Sequence, residues 1–238
     1  MIIEGAISVK AAINNHKRDI KVVYINKDKK TKDFNYIRKI SKLNNINIEE
    51  CDNEKIQTLV SGKTFGGICA EVSERYYDEF DEGDIFYLDG IEDPFNLGYA
   101  MRTLYAFGIK NVLLSPRDYS IMEAQLLKSS AGAYDMLNIK IANGALKQIQ
   151  DYKNNGYYLY GLYRGDNSKD IFDVKFNQKA LFMLGGEKRG ISSELLNICN
   201  EYLYISYGSD FRNSLNACGA LDVVATILYS QRKKWLLL

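Results

Sequence analysis

Three short stretches of the chain combine glycines or small residues with charged or amide side chains, a pattern that could bring a ligand close to the backbone. The first, EDPFNLGYAMRTLYAFGI at 92–109, places Asn96 and Arg102 six residues apart, with Gly98 between them. Arg102 is a long cation between the very small Gly98 and Ala106, on a helix face where something can come close. The second, LGGEKRG at 184–190, follows the apolar run ALFM and sets Glu187 among Gly185, Gly186 and Gly190. A glycine turn at the end of a strand lets backbone come close to a partner. The third, ISYGSDFRNSLNACGALDVVATILY at 205–229, leads from a strand through a polar loop into a helix whose start holds Ser214, Asn216 and four small residues. Each stretch also has a purely structural use: an Arg102 surface ion pair, a Glu187 that caps a turn, a tight helix–sheet contact. Taken singly, that use is the favoured one. The phosphate-loop spacing that ends in Gly-Lys-Ser/Thr and the GxGxxG spacing are both absent, which speaks against a nucleotide-dependent dehydrogenase.

These stretches need elements to position them. After residue 84, apolar runs of strand length alternate with helical segments. The strands are DIFYLDG, KNVLLS, YYLYGLY, KALFMLG and EYLYIS; the helices are 97–107, 122–133, 145–154, 193–199 and about 215–233. Such alternation predicts a mostly parallel sheet with helices on both faces. Ligands of parallel sheets bind outside the carboxyl ends of the strands, where LGGEKRG falls. Asn96 and Ser214 are the expected N-caps of their helices. Leu97, Met101, Leu104 and Tyr105 form an apolar helix face, and Gly98, Arg102 and Ala106 form a second stripe. Residues 1–72 read as a separate small α/β unit, with helical AISVKAAINN and DFNYIRKISKLNN, the strand IKVVYIN, the stretch INIEECD, a short helix near NEKIQTLV and the strand GGICAEV. The polar, acidic stretch 73–83 reads as a linker, and 84–238 as the main domain.

The chain has 238 residues, enough for a sizeable core without staples. It has one histidine and four scattered cysteines, so neither a metal site nor a disulfide framework is expected. Nothing approaches a membrane span or a signal peptide, which predicts a cytoplasmic protein. Residues 1–70 carry 13 Lys and Arg against 8 Asp and Glu, a net +5, while the rest carries 18 against 22, a net −4. A basic front part fits a polyanionic partner, although the asymmetry is small and an ordinary solvated surface accounts for it equally well.

Together and in this order, the three stretches resemble those of the SpoU/TrmH-type RNA 2′-O-ribose methyltransferases of the SPOUT superfamily. The matching residues are Asn96, Leu97, Gly98 and Arg102; then Gly185, Glu187 and Gly190; then Ile205, Gly208, Ser214, Leu215 and Asn216. KSSAGAYDML at 128–137 is similar to the family's intervening helix. The resemblance covers about 84–232. Residues 1–72 resemble the family's optional RNA substrate-binding domain more loosely, because Phe65 and Gly66 depart from a His-Gln-Gly pattern. The loop SYGSDFRN at 206–213 departs too, being slightly longer and lacking a proline after Ile205.

The resemblance implies an α/β domain with a C-terminal trefoil knot. It implies S-adenosyl-L-methionine held by Leu184, Gly185, Gly186, Ile205, Gly208, Ser214, Leu215 and Asn216, with Gly185, Ile205 and Leu215 using main-chain groups. Gly185 and Gly186 would leave room for the cofactor. The implied catalytic set is Arg102, Asn96, Glu187, Ser214 and Asn216, with Arg102 clamping a phosphate and polarising the hydroxyl, and with the base unassigned. The implied assembly is a homodimer with its sites near the subunit contact. The implied partner is structured RNA, ribosomal RNA favoured over transfer RNA on account of the N-terminal domain. A tRNA 2′-O-methyltransferase is the first alternative. The second is a non-catalytic RNA-binding protein that kept the fold, against which the retained Arg102, Glu187 and Asn216 argue.

Overall fold

The computed structural model describes residues 1–62, 64–186 and 189–235. In chain order the elements are β1 (Ile2–Glu4), α1 (Ala6–Asn15), β2 (Ile20–Asn26), α2 (Lys32–Leu43), β3 (Asn47–Cys51), α3 (Asn53–Leu59) and β4 (Ile68–Val72). There follow β5 (Ile85–Asp89), α4 (Pro94–Ala106), β6 (Asn111–Leu114), α5 (Glu123–Ser129), β7 (Asn138–Ile141), α6 (Ala145–Asn154), β8 (Tyr158–Leu162), β9 (Lys169–Asp170), β10 (Ala180–Gly185), α7 (Ser193–Ile198), β11 (Glu201–Tyr204) and α8 (Ala217–Trp235). The chain forms two compact units. One holds Met1–Tyr76 and Asp118–Met136; the other holds Tyr77–Arg117 and the chain from Leu137 on.

The first unit is built on a four-stranded sheet of order β1-β4-β2-β3. β3 runs parallel to β2, and β4 runs antiparallel to β1 and β2. Ile3, Val9, Ile13, Val23, Ile25 and Ile37 are fully buried and make its core. The segment Asp118–Met136 completes this core with Leu126, Leu127 and Tyr134, all at 0% exposure. Gly132, at φ 87°, lets the segment lie against α1, since a Cβ there would stand 2.7 Å from the Ala11 Cβ.

A buried cluster of charges ties the same segment down. Arg18 pairs with Asp135 at 2.8 Å and with Glu123 at 3.0 Å, all three side chains being essentially inaccessible. Burial works against the Arg18 charge, but Asp135 and Glu123 more than offset it, and the guanidinium holds its proton more firmly than usual. The Tyr134 hydroxyl donates to Glu123 at 3.1 Å, and Arg75 Nε donates to the Tyr134 carbonyl at 3.2 Å. Arg75, expected on an exposed connection, is only 3% exposed.

The second unit is a seven-stranded sheet of order β7-β6-β5-β10-β8-β11-β9, parallel at every pairing. Ile85, Tyr87, Leu181 and Met183 face one side, where Ile149 of α6 and Leu195 of α7 cover them. Phe86, Tyr160 and Phe182 stack with one another at centroid distances of 5.0 and 5.1 Å. α8 packs against β10 and against α4. Cover on both faces explains why these strands read as continuous apolar runs. β1, β7 and β9, with three, four and two residues, are additions to the elements expected from sequence. Among the described residues no helix is long and apolar enough to cross a membrane, and no cluster of His, Cys, Asp or Glu could hold a metal.

Candidate active site

The site lies at the carboxyl ends of β5 and β10, neighbours in register with Gly185 opposite Asp89. After β5 the chain turns at Gly90, φ 68°, and enters α4. Asp93 is the N-cap: its Oδ1 accepts the Phe95 N–H at 2.7 Å and the Asn96 N–H at 2.9 Å, with Pro94 opening the helix. Asn96, expected as the cap, stands instead in the first turn, which frees its amide for other work. The inward face of α4 also differs from expectation. Gly98 is buried with Leu97, Ala100, Met101 and Leu104, whereas Tyr105 is 40% exposed. Gly98 therefore does not share a solvent stripe with Arg102 and Ala106.

The loop after β10 folds back on itself. The Gly186 N–H donates to the Asp89 carbonyl at 2.6 Å, and the Gly190 N–H donates to the Gly186 carbonyl at 3.0 Å. A Cβ on Gly185 would sit 2.0 Å from the Gly190 carbonyl carbon, and one on Gly186 would sit 2.2 Å from the Gly90 oxygen. The protein's own backbone thus sets the need for glycine at 185 and 186, in place of the room for a cofactor that was expected. Gly190 differs: at φ 63° a Cβ there would meet none of the described residues within 4 Å. Glu187 lies outside the described residues.

The third stretch brings a second helix start to the same edge. β11 ends at Tyr204, Ile205 is half-buried, and the loop beyond is exposed around Gly208. Asn216 is the N-cap of α8. Its Oδ1 accepts the Gly219 N–H at 2.7 Å and its carbonyl accepts the Ala220 N–H at 3.0 Å. Ser214, expected in that role, is exposed two residues earlier. The Leu215 N–H donates to the Tyr207 hydroxyl at 3.0 Å, so that main-chain donor is already engaged. The Cys218 thiol donates to the Asn96 carbonyl at 3.0 Å and joins the first turns of α4 and α8.

Between these parts lies a cleft of about 730 Å³, lined among others by Asp89, Asn96, Gly186, Arg189, Gly190 and Ala217. This volume lies within the range of about 300–1,000 Å³ usual for small-molecule sites, so a ligand of cofactor size fits. Of the expected residues, Asn96 and Gly186 line the cleft. Leu184 is buried in β10, and Ser214, Leu215 and Asn216 are exposed beside the cleft's Ala217. Arg102 does not line it; it is exposed on α4 and has no ion pair or hydrogen bond with any described residue.

Sequence reasoning missed Asp89. Burial pushes its carboxyl above the usual aspartate range, while the Tyr87 hydroxyl at 3.2 Å and the Ser192 N–H work the other way. The available signal was an aspartate ending an apolar strand, at the edge where parallel sheets place their chemistry.

An all-parallel sheet with a cleft at its strand ends, walled by a glycine-built loop and two helix starts, defines an α/β protein with room for a small ligand there. Residues 84–226 match the SpoU rRNA Methylase family, and residues 2–78 match the domain described as RNA 2′-O ribose methyltransferase substrate binding. A Staphylococcus saprophyticus protein named as a TrmH family tRNA/rRNA methyltransferase is 27% identical, the match covering 98% of this chain and 96% of that protein. The fold is shared with an AdoMet-bound rRNA methyltransferase from Sinorhizobium meliloti, at a TM-score of 0.78 and 18% identity, covering 98% of this chain and 87% of that one. A TrmH/SpoU tRNA modifying enzyme from A. aeolicus shares it less fully, at a TM-score of 0.59 and 18% identity, covering 66% of this chain and 79% of that one. The chain belongs to the SpoU rRNA methylase family, whose members are S-adenosylmethionine-dependent RNA methyltransferases.

Proposed function

We propose that this protein methylates a ribose 2′-hydroxyl of ribosomal RNA, acting as a homodimer in the cytoplasm. The observation that carries the RNA assignment is the N-terminal unit. Residues 2–78 match an RNA 2′-O ribose methyltransferase substrate-binding domain. The S. meliloti rRNA methyltransferase, moreover, is similar over almost the whole chain, whereas the tRNA-modifying enzyme is similar over 66% of it.

The cofactor, when bound, supplies a methyl group on a positively charged sulfur. Leu184, Gly185, Gly186, Ile205, Gly208, Ser214, Leu215 and Asn216 are the residues proposed to hold it, largely through main-chain groups. The knot that the family resemblance implies for this part of the sheet would keep those loops together. Asn96, Ser214 and Asn216 orient the ribose, and Glu187 organises its loop. Holding the reacting atoms in line supplies several kcal/mol by itself, on the order of 7–11 kcal/mol at most.

Arg102 clamps a phosphate and polarises the 2′-hydroxyl. Its absence from its own cleft favours a site completed across the dimer, with Arg102 of one subunit serving the other. The exposed α4 face that carries it, with Phe95 at 50% and Tyr99 at 51% exposure, is apolar enough to meet a second copy. Three carboxylates line the cleft, Asp89, Glu92 and Asp93; Asp93 caps α4, and Asp89, the least exposed of the three, is the one proposed to take up the hydroxyl proton, its burial raising its affinity for it.

The test offers ribosomal and transfer RNA separately to the protein with methyl-labelled S-adenosylmethionine. The reading expects label in ribosomal RNA at an alkali-resistant linkage, because a methylated 2′-oxygen cannot attack the neighbouring phosphate. Label only in transfer RNA, or only on bases, overturns it. Arg102→Ala should lower single-turnover transfer about a hundredfold, the effect of losing ~3 kcal/mol of preorganised charge, with unchanged melting temperature.

A further inference from the structure

The loop that departs from the family pattern carries an aromatic cluster that methyl transfer does not use. The Phe211 ring is 52% exposed and stands 6.0 Å from the Tyr207 ring, tilted by 48°. Tyr207 is held in place. Its hydroxyl accepts the Leu215 N–H, and the Arg164 guanidinium lies 5.9 Å from its ring centre and 5.9 Å from that of Tyr204. Beside Arg164, Tyr163 is 48% exposed and meets Tyr202 edge-on at 5.8 Å. The Arg164 turn is itself fixed, since the Ser168 hydroxyl donates to the Tyr163 carbonyl at 2.7 Å and accepts the Gly165 N–H at 2.9 Å. Two hydrogen-bonded loops therefore present an aromatic face to solvent.

Charge decides what that face would bind. Arg164 and Arg212 are balanced by Asp166 and Asp210 on the same two loops, so the patch has little attraction for a phosphate backbone. Its distinctive property is the π surface, which suits a flat base whose own faces are free. Phe211 and Ser214 are three positions apart, at most about 11 Å of chain, so a base stacked there belongs to the segment around the target nucleotide.

We propose that Phe211, braced by Tyr207, is a stacking platform for an unpaired base of the RNA substrate next to the methylated nucleotide. The inference rests on the RNA methyltransferase reading above. The test uses the full-length protein and a single-stranded RNA hexamer containing one 2-aminopurine, whose fluorescence is quenched on stacking. The wild-type protein should quench it, Phe211→Ala should bind the hexamer roughly tenfold more weakly with the quench lost, and Phe211→Tyr should restore both. S-adenosylmethionine affinity and sedimentation should stay unchanged in both variants. Absence of a wild-type quench, or a quench that survives Phe211→Ala, overturns the proposal. A fall in cofactor affinity overturns it by assigning the ring to the cofactor pocket, and a shift to monomers by assigning it to the subunit contact. Methyl transfer is measured on the same preparations: quench without any transfer to RNA sinks the functional reading, and transfer without a Phe211-dependent quench sinks the platform.

Discussion

Gly185→Ala adds one methyl group at the tightest crossing in the cleft. Its Cβ would sit 2.0 Å from the Gly190 carbonyl carbon and 2.4 Å from both the Gly190 oxygen and the Ile191 nitrogen. These are backbone atoms, which cannot swing aside as a flexible side chain does. Ordinary contact begins near 3.4 Å, so the loop must open by about 1.4 Å. Opening breaks the Gly190–Gly186 and Gly186–Asp89 hydrogen bonds, at about 1 kcal/mol each. It also lifts Ile191, now 8% exposed, part of the way out of its cluster with Leu181 and Leu195, at roughly another 1 kcal/mol. The sum is about 3 kcal/mol, a large share of a typical stability of 5–15 kcal/mol. For a chain of this size it lowers the melting temperature by roughly 6–12 °C. The assay pairs thermal unfolding with calorimetric titration of S-adenosylmethionine, and both should fail together. Gly190→Ala is the control: its Cβ meets no described residue within 4 Å, and the expected effect is the left-handed backbone cost of about 1–2 kcal/mol. A Gly185→Ala protein that melts like the wild type but no longer binds cofactor would refute the reasoning, because the glycine would then face the ligand rather than the loop.

Two further outcomes follow from buried charge. Arg18→Ala leaves Glu123 and Asp135 buried with only Arg75, 3.8 Å from Asp135, as a cation and should destabilise the first unit by about 3 kcal/mol in guanidinium unfolding; a loss below 1 kcal/mol would show that Arg75 or water makes up for it. Asp89→Asn should raise the melting temperature at pH 7. A carboxyl raised by burial is at its most favourable when protonated, below its ordinary value of 3.8, and loses that stability as pH rises through its folded value. The advantage of the variant should therefore shrink as pH falls toward 4, and an advantage that grows in acid would contradict the sign.

The strands around the site are legible because both faces of their sheet are covered, which turns DIFYLDG and KALFMLG into unbroken apolar runs. NIKI at 138–141 carries no such signal; it becomes β7 because β6 offers an unpaired edge. In EDPFN two residues can cap a helix. Pro94 decides for Asp93, since proline is best tolerated at the first helical position. The glycines of LGGEKRG are legible as a close approach, but what comes close is Gly190 and Gly90, through a long-range fold that local sequence does not encode. The partner of the 118–136 segment was equally hidden, because Arg18 and Asp135 are 117 residues apart and neither sits in a pattern. Part of the basic excess in the first 70 residues is accordingly internal, with Arg18 neutralised by carboxylates from the middle of the chain.

The discontinuous first unit has a consequence for the order in which the chain can mature on the ribosome. N-terminal domains commonly fold as they emerge, but this one lacks Glu123, Asp135 and the Leu126–Leu127 layer until the chain has been made as far as Met136. At about 5–20 residues per second, the roughly 60 residues after Tyr76 take on the order of 3–12 seconds. During that interval Arg18 and Arg75 have no buried carboxylates to meet, and the apolar side of α1 and β1 stays open to water. The nascent N-terminal unit thus keeps apolar surface uncovered until residue 136 has been made. A gene fusion that moved residues 1–76 alone onto another enzyme would carry that unfinished surface with it.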